Sequence, residues 1–547
     1  MEARRQLWSL VLITLGACRG QEVAAPDCVT IAATTDAHGV VEPQTLSVGD
    51  VTLRRWGLVA ASGYISILRQ RFHQKLLLLD AGDLYQGTLV AKISRGEAII
   101  AAYNIMGYQG VALGNHEFDY GPLAEGDADL QGILKARLRQ AHFPFLAANM
   151  IDKKTGRRPN WPNLEPSMMV DLGGITVGVV GAITTGTPEV TRPQLVADFE
   201  FLDPVPVIAA EARELRANGA RLVVLLAHFG GACAKVDDPN DASTCDAGSE
   251  LFTLLARLPR GAIDVAIGGH THARVAHWVH GTAVLQPLAQ GRELGWAEVC
   301  VKPAGGIDRG ASTIHPPIDL CLDEWAEGGC RRRASPSAVA PAKFLGEPVV
   351  PEPDLEAAVK PYLQAVVDVE RRPLGVRLPR SLSRDADGVS LGSRICEAMV
   401  EATGARVAVQ NLGGVRDDLP AGALTYGDVF QVLPFENRLM TLDMTGEEVR
   451  DFVQVLVAHH DGTPPYVAGL TVRAQPGGTE VELANGEPLE DDEVFKLVTN
   501  DYLGMGGEGA DAVLAKVSAE NRHVMDQTVL DAFIAYLQRR FAEKAKR

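Results

Sequence analysis

Leu113-Gly114-Asn115-His116-Glu117-Phe118-Asp119-Tyr120-Gly121 is the stretch that decides how this 547-residue chain is read. The apolar run 111–113 leads directly into an amide, an imidazole and two carboxylates. A short buried strand that ends in such a turn is a place for chemistry. Four other places repeat the arrangement. Asp36-Ala37-His38 follows the apolar run 29–34, and Gly82-Asp83 follows 76–80. His228 follows 222–227, and Gly268-Gly269-His270-Thr271-His272 follows 265–267. Ligand sites in open α/β sheets form beyond the carboxyl ends of the strands. The five turns are therefore expected to converge on one side of a sheet. Glycine stands just before Asp83, Asn115 and His270, where it is expected to let the backbone turn sharply and aim the side chain inward.

The flanking sequence gives the fold class. The runs 76–79, 175–180, 222–226 and 265–267 suit strands buried on both faces. Segments such as 206–217 lie between them, apolar at helical spacing with charges interleaved. The expectation is an α/β domain over 28–335. A Pro/Ala/Arg-rich stretch, 331–353, reads as a linker, and 355–369 as an amphipathic helix. Residues 336–372 are thus a linker with an interdomain helix. A second α/β domain is expected over 373–547, with a helix at 391–402, a strand at 407–410 and a glycine-rich turn at 504–509. The length alone is too great for one core.

Residues 1–27 read as a targeting segment and tether. Arg4 and Arg5 precede a short apolar run, and Leu15-Gly16-Ala17-Cys18 reads as a lipobox with Cys18 as the lipidated residue. An ordinary secretory signal cut nearby is the alternative. The expectation is an exported chain, in the periplasm or at the cell surface, touching the membrane only through a lipid anchor. Export permits disulfides. Cys233 with Cys245 and Cys321 with Cys330 are near enough in sequence to close locally, with a thiolate metal site as the rival reading. Cys28, Cys300 and Cys396 are left unassigned. A net charge of −17 argues against a nucleic-acid polymer as partner. It leaves room for a small anionic substrate, and no protein partner is expected.

Hard carboxylate and amide oxygens mixed with imidazoles, without a thiolate, suit Zn²⁺, Mn²⁺ or Fe²⁺. The stretches Gly82-Asp83-Leu84-Tyr85-Gln86-Gly87-Thr88 and 113–121 resemble signatures of the calcineurin-like metallophosphoesterases, and within them of the 5′-nucleotidase family. The resemblance covers nearly the whole chain after the targeting segment. It implies an N-terminal metallophosphoesterase β-sandwich flanked by helices and a C-terminal α/β substrate-binding domain. It also implies two divalent metal ions. Asp36, His38 and His272 would hold one, Asn115, His228 and His270 the other, and Asp83 would bridge them. His116 would face the phosphate without binding metal, with Asp119 orienting its imidazole. The alternative for His116 and Asp119 is a structural hydrogen-bonded pair. Two such ions can clamp a phosphate and lower the pKa of a water.

The second domain extends the resemblance. Asn411-Leu412-Gly413-Gly414-Val415-Arg416 is similar to the family's phosphate-binding stretch, which implies substrate contact by Asn411 and Arg416. Leu433-Pro434-Phe435-Glu436-Asn437 and Tyr502 fall where relatives stack two aromatics on a base. Phe435 as core and Tyr502 as surface is the rival reading. Asn437 is included among the substrate contacts. Glu508 replaces an aspartate that contacts ribose in relatives, Tyr502 replaces a phenylalanine, and Ser390 replaces an asparagine. Arg384 is the nearest match to a further phosphate arginine, displaced by one position, with Arg380 behind it. The implied reaction is hydrolysis of nucleoside 5′-monophosphates. Alternatives on the same site are a nucleotide diphosphatase or UDP-sugar hydrolase, a 2′,3′-cyclic-nucleotide phosphodiesterase and a thiosulfate-ester hydrolase. A lipid-anchored binding protein on a degenerate phosphatase fold is the non-enzymatic alternative.

Overall fold

The structure is a computed structural model, and it describes residues 27–124, 126–331, 338–384, 390–435, 437–475 and 478–542. The lipobox and Cys18 lie outside the described residues. No helix among the described residues is long and apolar enough to cross a membrane.

Strands buried on both faces build the N-terminal half. In strand Leu76–Asp80, Leu77 and Leu79 point to one apolar cluster and Leu76 and Leu78 to another. Strand Leu222–His228 divides likewise, with Leu222, Val224 and Leu226 on one face and Val223 and Leu225 on the other. Alternate side chains of a strand leave opposite faces, so each strand needs two apolar partners. Two sheets stacked face to face supply one partner, and helices on the outside supply the other.

The first sheet has seven strands. Asp27–Thr34, Leu76–Asp80, Gly110–Ala112, Phe145–Leu146 and Leu164–Glu165 run parallel. Glu293–Val301 and Thr313–Asp319 complete it antiparallel. The second sheet has six strands. Thr176–Ile183, Leu222–His228, Val265–Ile267 and Thr282–Gln286 are its parallel centre. Helix Gly57–Phe72 covers the first sheet. Helices Pro204–Ala217 and Glu250–Arg257 cover the second. The expected sandwich flanked by helices is present.

The C-terminal unit is a five-stranded mixed sheet in the order Tyr466–Ala468, Val407–Gln410, Val494–Asn500, Arg438–Thr445, Arg522–Thr528. Helices Leu391–Thr403 and Val529–Phe541 pack together beside it. Helix Gly446–His459 covers the other face. Thr445 and Glu448 form a capping box at its start, which fixes where its last turn delivers His459 and His460.

The described part of the linker is not loose chain. Val339–Pro341 pairs with Asp323–Trp325, and Lys343–Phe344 with Glu347–Pro348. Ala342, Phe344 and Val349 are buried. A side chain at Gly63 would meet Val349 at 2.7 Å and the Val350 carbonyl at 2.9 Å, so this segment lies directly on helix Gly57–Phe72. The proline-rich composition concealed three buried apolar anchors. Helix Pro353–Glu370 follows, and its Leu355, Val359 and Val366 join the apolar cluster shared by the two halves.

Cys28 and Cys300 form a disulfide across 272 residues. They are unassignable from spacing, but the antiparallel register of Asp27–Thr34 and Glu293–Val301 sets them directly opposite. Cys233–Cys245 and Cys321–Cys330 close locally. Among the described residues Cys396 is a free, buried thiol.

The long loop closed by Cys28–Cys300 restricts the unfolded chain. Cys28→Ser with Cys300→Ser is expected to lower the unfolding free energy by about 2–4 kcal/mol. Urea melts under non-reducing conditions check this, and an unshifted midpoint would assign the strand ladder the whole stabilisation.

Candidate metal centre

The five turns converge, though on the shared edge of two facing sheets and not on one. Asp36 and His38 follow strand Asp27–Thr34, Asp83 follows Leu76–Asp80, and Asn115 follows Gly110–Ala112. His228 ends Leu222–His228, and His270 and His272 follow Val265–Ile267. All these strands are parallel members of their sheets, so their carboxyl ends share an edge.

The donors fall into two groups. Asp36, His38 and His272 each bring one donor atom within 4.8 Å of the others, and so do Asp83, His228 and His270. In the first, His38 Nε2 lies 2.9 Å from His272 Nε2, which lies 3.5 Å from Asp36 Oδ1. In the second, His228 Nε2 lies 3.1 Å from both Asp83 Oδ2 and Asn115 Oδ1. Asp83 Oδ1 accepts the His116 backbone N–H at 2.9 Å.

Backbone carbonyls settle two tautomers. His38 Nδ1 donates to the Gln86 carbonyl and His228 Nδ1 to the Ala81 carbonyl, each at 2.8 Å. A carbonyl can only accept, so both Nδ1 atoms carry hydrogen and turn Nε2 toward the donor groups. Burial pushes the imidazoles of His38 and His270 down to about 3, so both are neutral. Burial pushes the Asp36 carboxyl up to about 7. Burial likewise opposes a charge on His228, but Asp83 raises it to about 10. Neutral imidazole nitrogens and buried carboxylates that crowd one another are a donor set that a divalent cation complements. The residues present therefore fit metal ions.

The local backbone is forced to make this set. Among the described residues fifteen non-glycine residues have positive φ, and Asp36, His38, Asp83, His270 and His272 are five of them, at 45° to 74°. Such conformations cost about 1–3 kcal/mol each and cluster at functional sites. The expected role of the preceding glycines needs revision. Gly82 has φ 97°, but Gly114 and Gly269 are not left-handed. They make room instead: a side chain at Gly114 would meet Asp83 Oδ1 at 2.2 Å, and one at Gly269 would meet Thr35 Oγ1 at 2.2 Å. The ligand-type residues themselves make most of the sharp turns.

His116 stands beside this set. Its Nδ1 lies 2.6 Å from Asp119 Oδ2, and its ring centroid 5.3 Å from that of His38. Burial disfavours its proton, but Asp119 wins and holds it above the ordinary histidine value. Arg192 donates to the Asp119 carbonyl from the neighbouring turn.

One cleft of about 410 Å³ brings the two halves together. Asp83, Asn115, His116, His270 and His272 line it from the sandwich. Asn411, Arg416, Phe435, Asn437, Tyr502 and Glu508 line it from the C-terminal unit. The Phe435 and His116 ring centroids are 6.1 Å apart, and the Arg416 guanidinium lies 5.7 Å from the Phe435 ring centre. The Tyr502 hydroxyl donates to the Glu189 carbonyl across the seam. Arg384 is not among the lining residues; its Nη1 donates to the Arg416 carbonyl at 2.9 Å.

Sequence reasoning missed Glu117. It is 1% exposed. Its carboxylate accepts the backbone N–H groups of Asp83 at 3.0 Å, Leu84 at 2.8 Å and Gly114 at 2.7 Å. It thus fixes the turn that presents Asp83 to the turn that presents Asn115. The available signal is a carboxylate placed between two cleft residues and Phe118, where no solvent reaches it. His459 and His460 were also missed, and both line the cleft.

The chain is similar to known proteins over most of its length. Residues 366–515 match the family model described as the 5′-nucleotidase C-terminal domain. Protein UshA of Yersinia enterocolitica is 27% identical over 508 residues, covering 88% of this chain and 87% of that protein. A 5′-nucleotidase of Vibrio vulnificus is 26% identical over 569 residues, covering 96% and 95%. The crystal structure of a 5′-nucleotidase precursor from Thermus thermophilus superposes with a TM-score of 0.74 at 26% identity, covering 94% of this chain and 96% of that one.

Glu117→Gln would turn an amide N–H toward backbone donors. The expected result is a loss of about 1–3 kcal/mol in stability together with reduced metal content. Urea unfolding and elemental analysis of the purified variant check this; wild-type values in both would remove Glu117 from the site's support.

Proposed function

This chain belongs to the 5′-nucleotidase family of phosphate-ester hydrolases, and we propose that its reaction is hydrolysis of nucleoside 5′-monophosphates to nucleoside and phosphate. The observation that carries the reading is the cleft itself. One lining holds donors from both clusters (Asp83, Asn115, His270 and His272), the Arg416 guanidinium and two aromatic rings. A metal centre alone would fit any phosphate ester. Phe435 and Tyr502 add flat apolar faces, which suit a base.

In this reading Asp36, His38 and His272 would hold one divalent cation, Asn115, His228 and His270 would hold the other, and Asp83 would serve both. Zinc, manganese and ferrous iron all suit these oxygens and imidazoles. When bound, the cations supply Lewis acidity toward the phosphoryl group and the attacking water.

The side chains do the rest. His116, its Nδ1 held by Asp119, offers an Nε2–H to a phosphoryl oxygen as negative charge grows there. Arg416 offers its planar fork to the other phosphoryl oxygens. Phe435 and Tyr502 hold the base, and Asn411, Asn437 and Glu508 meet the sugar between. Arg384 acts through Arg416, whose carbonyl it holds, and not by touching phosphate in this arrangement. We place the chain outside the cytoplasm, because three disulfides fit an oxidising compartment. A lipid anchor at Cys18 belongs to the same proposal. So does the division into two domains, with 336–372 between them; the buried anchors of 338–349 move any hinge to helix Pro353–Glu370 or beyond.

Two measurements test this. His116→Asn should keep both metal equivalents yet lower kcat by about 10²-fold or more, as for other lost transition-state donors. Loss of metal in that variant would make His116 a ligand or a structural group. Phe435→Ala with Tyr502→Ala should raise KM for a nucleoside monophosphate at least roughly tenfold, about 1.4 kcal/mol. A small aryl phosphate serves as the internal control for folding and metal. Equal losses on both substrates would make the aromatics structural. No loss on either would leave a metallophosphoesterase that does not hold its substrate by a base.

A further inference from the structure

The C-terminal wall of the cleft contributes a single carboxylate among the described lining residues, Glu508. It is 4% exposed and has a left-handed φ of 56°. A buried acidic side chain in that conformation needs strong partners. It has one on each oxygen. Asn411 Nδ2 donates to Oε1 at 2.9 Å, and His460 Nε2 lies 3.0 Å from Oε2.

Both partners are themselves fixed. Asn411 Oδ1 accepts from Asn500 Nδ2 at 3.0 Å and from Gln410 Nε2 at 3.2 Å, so its amide can only present N–H to Glu508. Asn500 Oδ1 in turn accepts the Leu503 N–H at 2.9 Å. His460 caps helix Gly446–His459 through its backbone N–H to Leu456. The turn that carries Glu508 also carries Gly507, where a side chain would strike the Tyr502 ring at 2.6 Å. One turn therefore braces both the ring and the carboxylate.

We infer that His460 is a positioning residue for substrate selection: with Asn411 it fixes Glu508 so that its two oxygens accept hydrogen bonds from hydroxyl groups on the sugar of the leaving group. This rests on the nucleotidase reading and adds a selecting device to it. Each carboxylate oxygen has two lone pairs, and the bracket uses one on each. What remains accepts donors only. Phosphate oxygens are repelled, and vicinal hydroxyls are the substrate groups that match two neighbouring acceptors. Without His460, one oxygen of a buried carboxylate loses its partner, and the group is free to rotate.

A third cation on His459, His460 and Glu508 is the competing occupant, since their donor atoms lie within 4.8 Å of one another. Direct contact with Glu508 opposes it. His460 Nε2 donates to Glu508 Oε2 at 3.0 Å, and a nitrogen that carries that hydrogen has no lone pair for a metal.

The test compares kcat/KM for a ribonucleoside 5′-monophosphate and its 2′,3′-dideoxy counterpart, in wild type, His460→Ala and His460→Gln. The wild-type ratio should be at least about tenfold in favour of the ribonucleotide, the range expected when buried acceptors are left unmatched. The ratio should fall toward one in H460A and recover in part in H460Q, whose amide N–H can still reach Glu508. A wild-type ratio near one would overturn the inference while leaving the nucleotidase reading intact. So would an H460A enzyme slowed equally on both nucleotides, which marks a structural residue. A third metal equivalent in wild type that disappears in H460A would give the cluster to a cation. If wild type hydrolyses a small aryl phosphate but neither nucleotide, the nucleotidase reading itself fails.

Discussion

Asp36 and Asp83 are buried carboxylates crowded by imidazoles, and most of the molecule is arranged around that electrostatic problem. Taking such charges out of water costs several kcal/mol each unless something nearby compensates. The nearby imidazoles compensate poorly. His38 and His270 are held neutral by burial, and His38 has its Nδ1 hydrogen committed to a backbone carbonyl. His228 answers Asp83 by taking a proton, and His116, whose proton Asp119 holds, adds to it from the side. Two divalent cations would resolve the conflict at once, with every donor used. The stacking of two sheets, each with a parallel centre, follows as a geometric need. One sheet edge offers Asp36, His38, Asp83 and Asn115, and only a second sheet can bring His228, His270 and His272 against them.

The sequence made the donor set legible because each member follows an apolar run. Strand-end placement was readable from 29–34, 76–80, 111–113, 222–227 and 265–267 without any knowledge of pairing. What stayed hidden depended on register or on tertiary contact. Cys28 and Cys300 are opposite only because two antiparallel strands align them. Phe344 and Val349 look like ornaments of a linker until they are seen against Gly63 and its helix. Glu117 reads as a spacer within a motif, yet three backbone N–H groups from two different turns end on it. Two of the three glycines serve by leaving space and not by their φ. Gly114 and Gly269 matter for the space beside Asp83 and Asp36, while the strained φ values fall on the donors.

The C-terminal unit contributes by proximity. Helix Pro353–Glu370 shares an apolar cluster with both halves, and Tyr502 bonds to the Glu189 carbonyl across the seam. Phe435 reaches the neighbourhood of His116, so groups that can recognise a base stand beside groups that can stabilise a phosphoryl charge. Arg384, expected among the substrate contacts, does not line the cleft and donates instead to the Arg416 carbonyl. The same economy is visible at Glu508, whose two oxygens are tied to elements on opposite sides of the turn.

Metal stoichiometry in the intact chain tests the account most directly. Protein stripped with chelator and titrated with Zn²⁺ or Mn²⁺ should take up two equivalents per chain, and phosphate-ester hydrolysis should return as the second site fills. Full turnover in the stripped protein, or saturation at one equivalent with full turnover, would contradict the reading of Asp36, Asp83 and their imidazoles as a two-cation site.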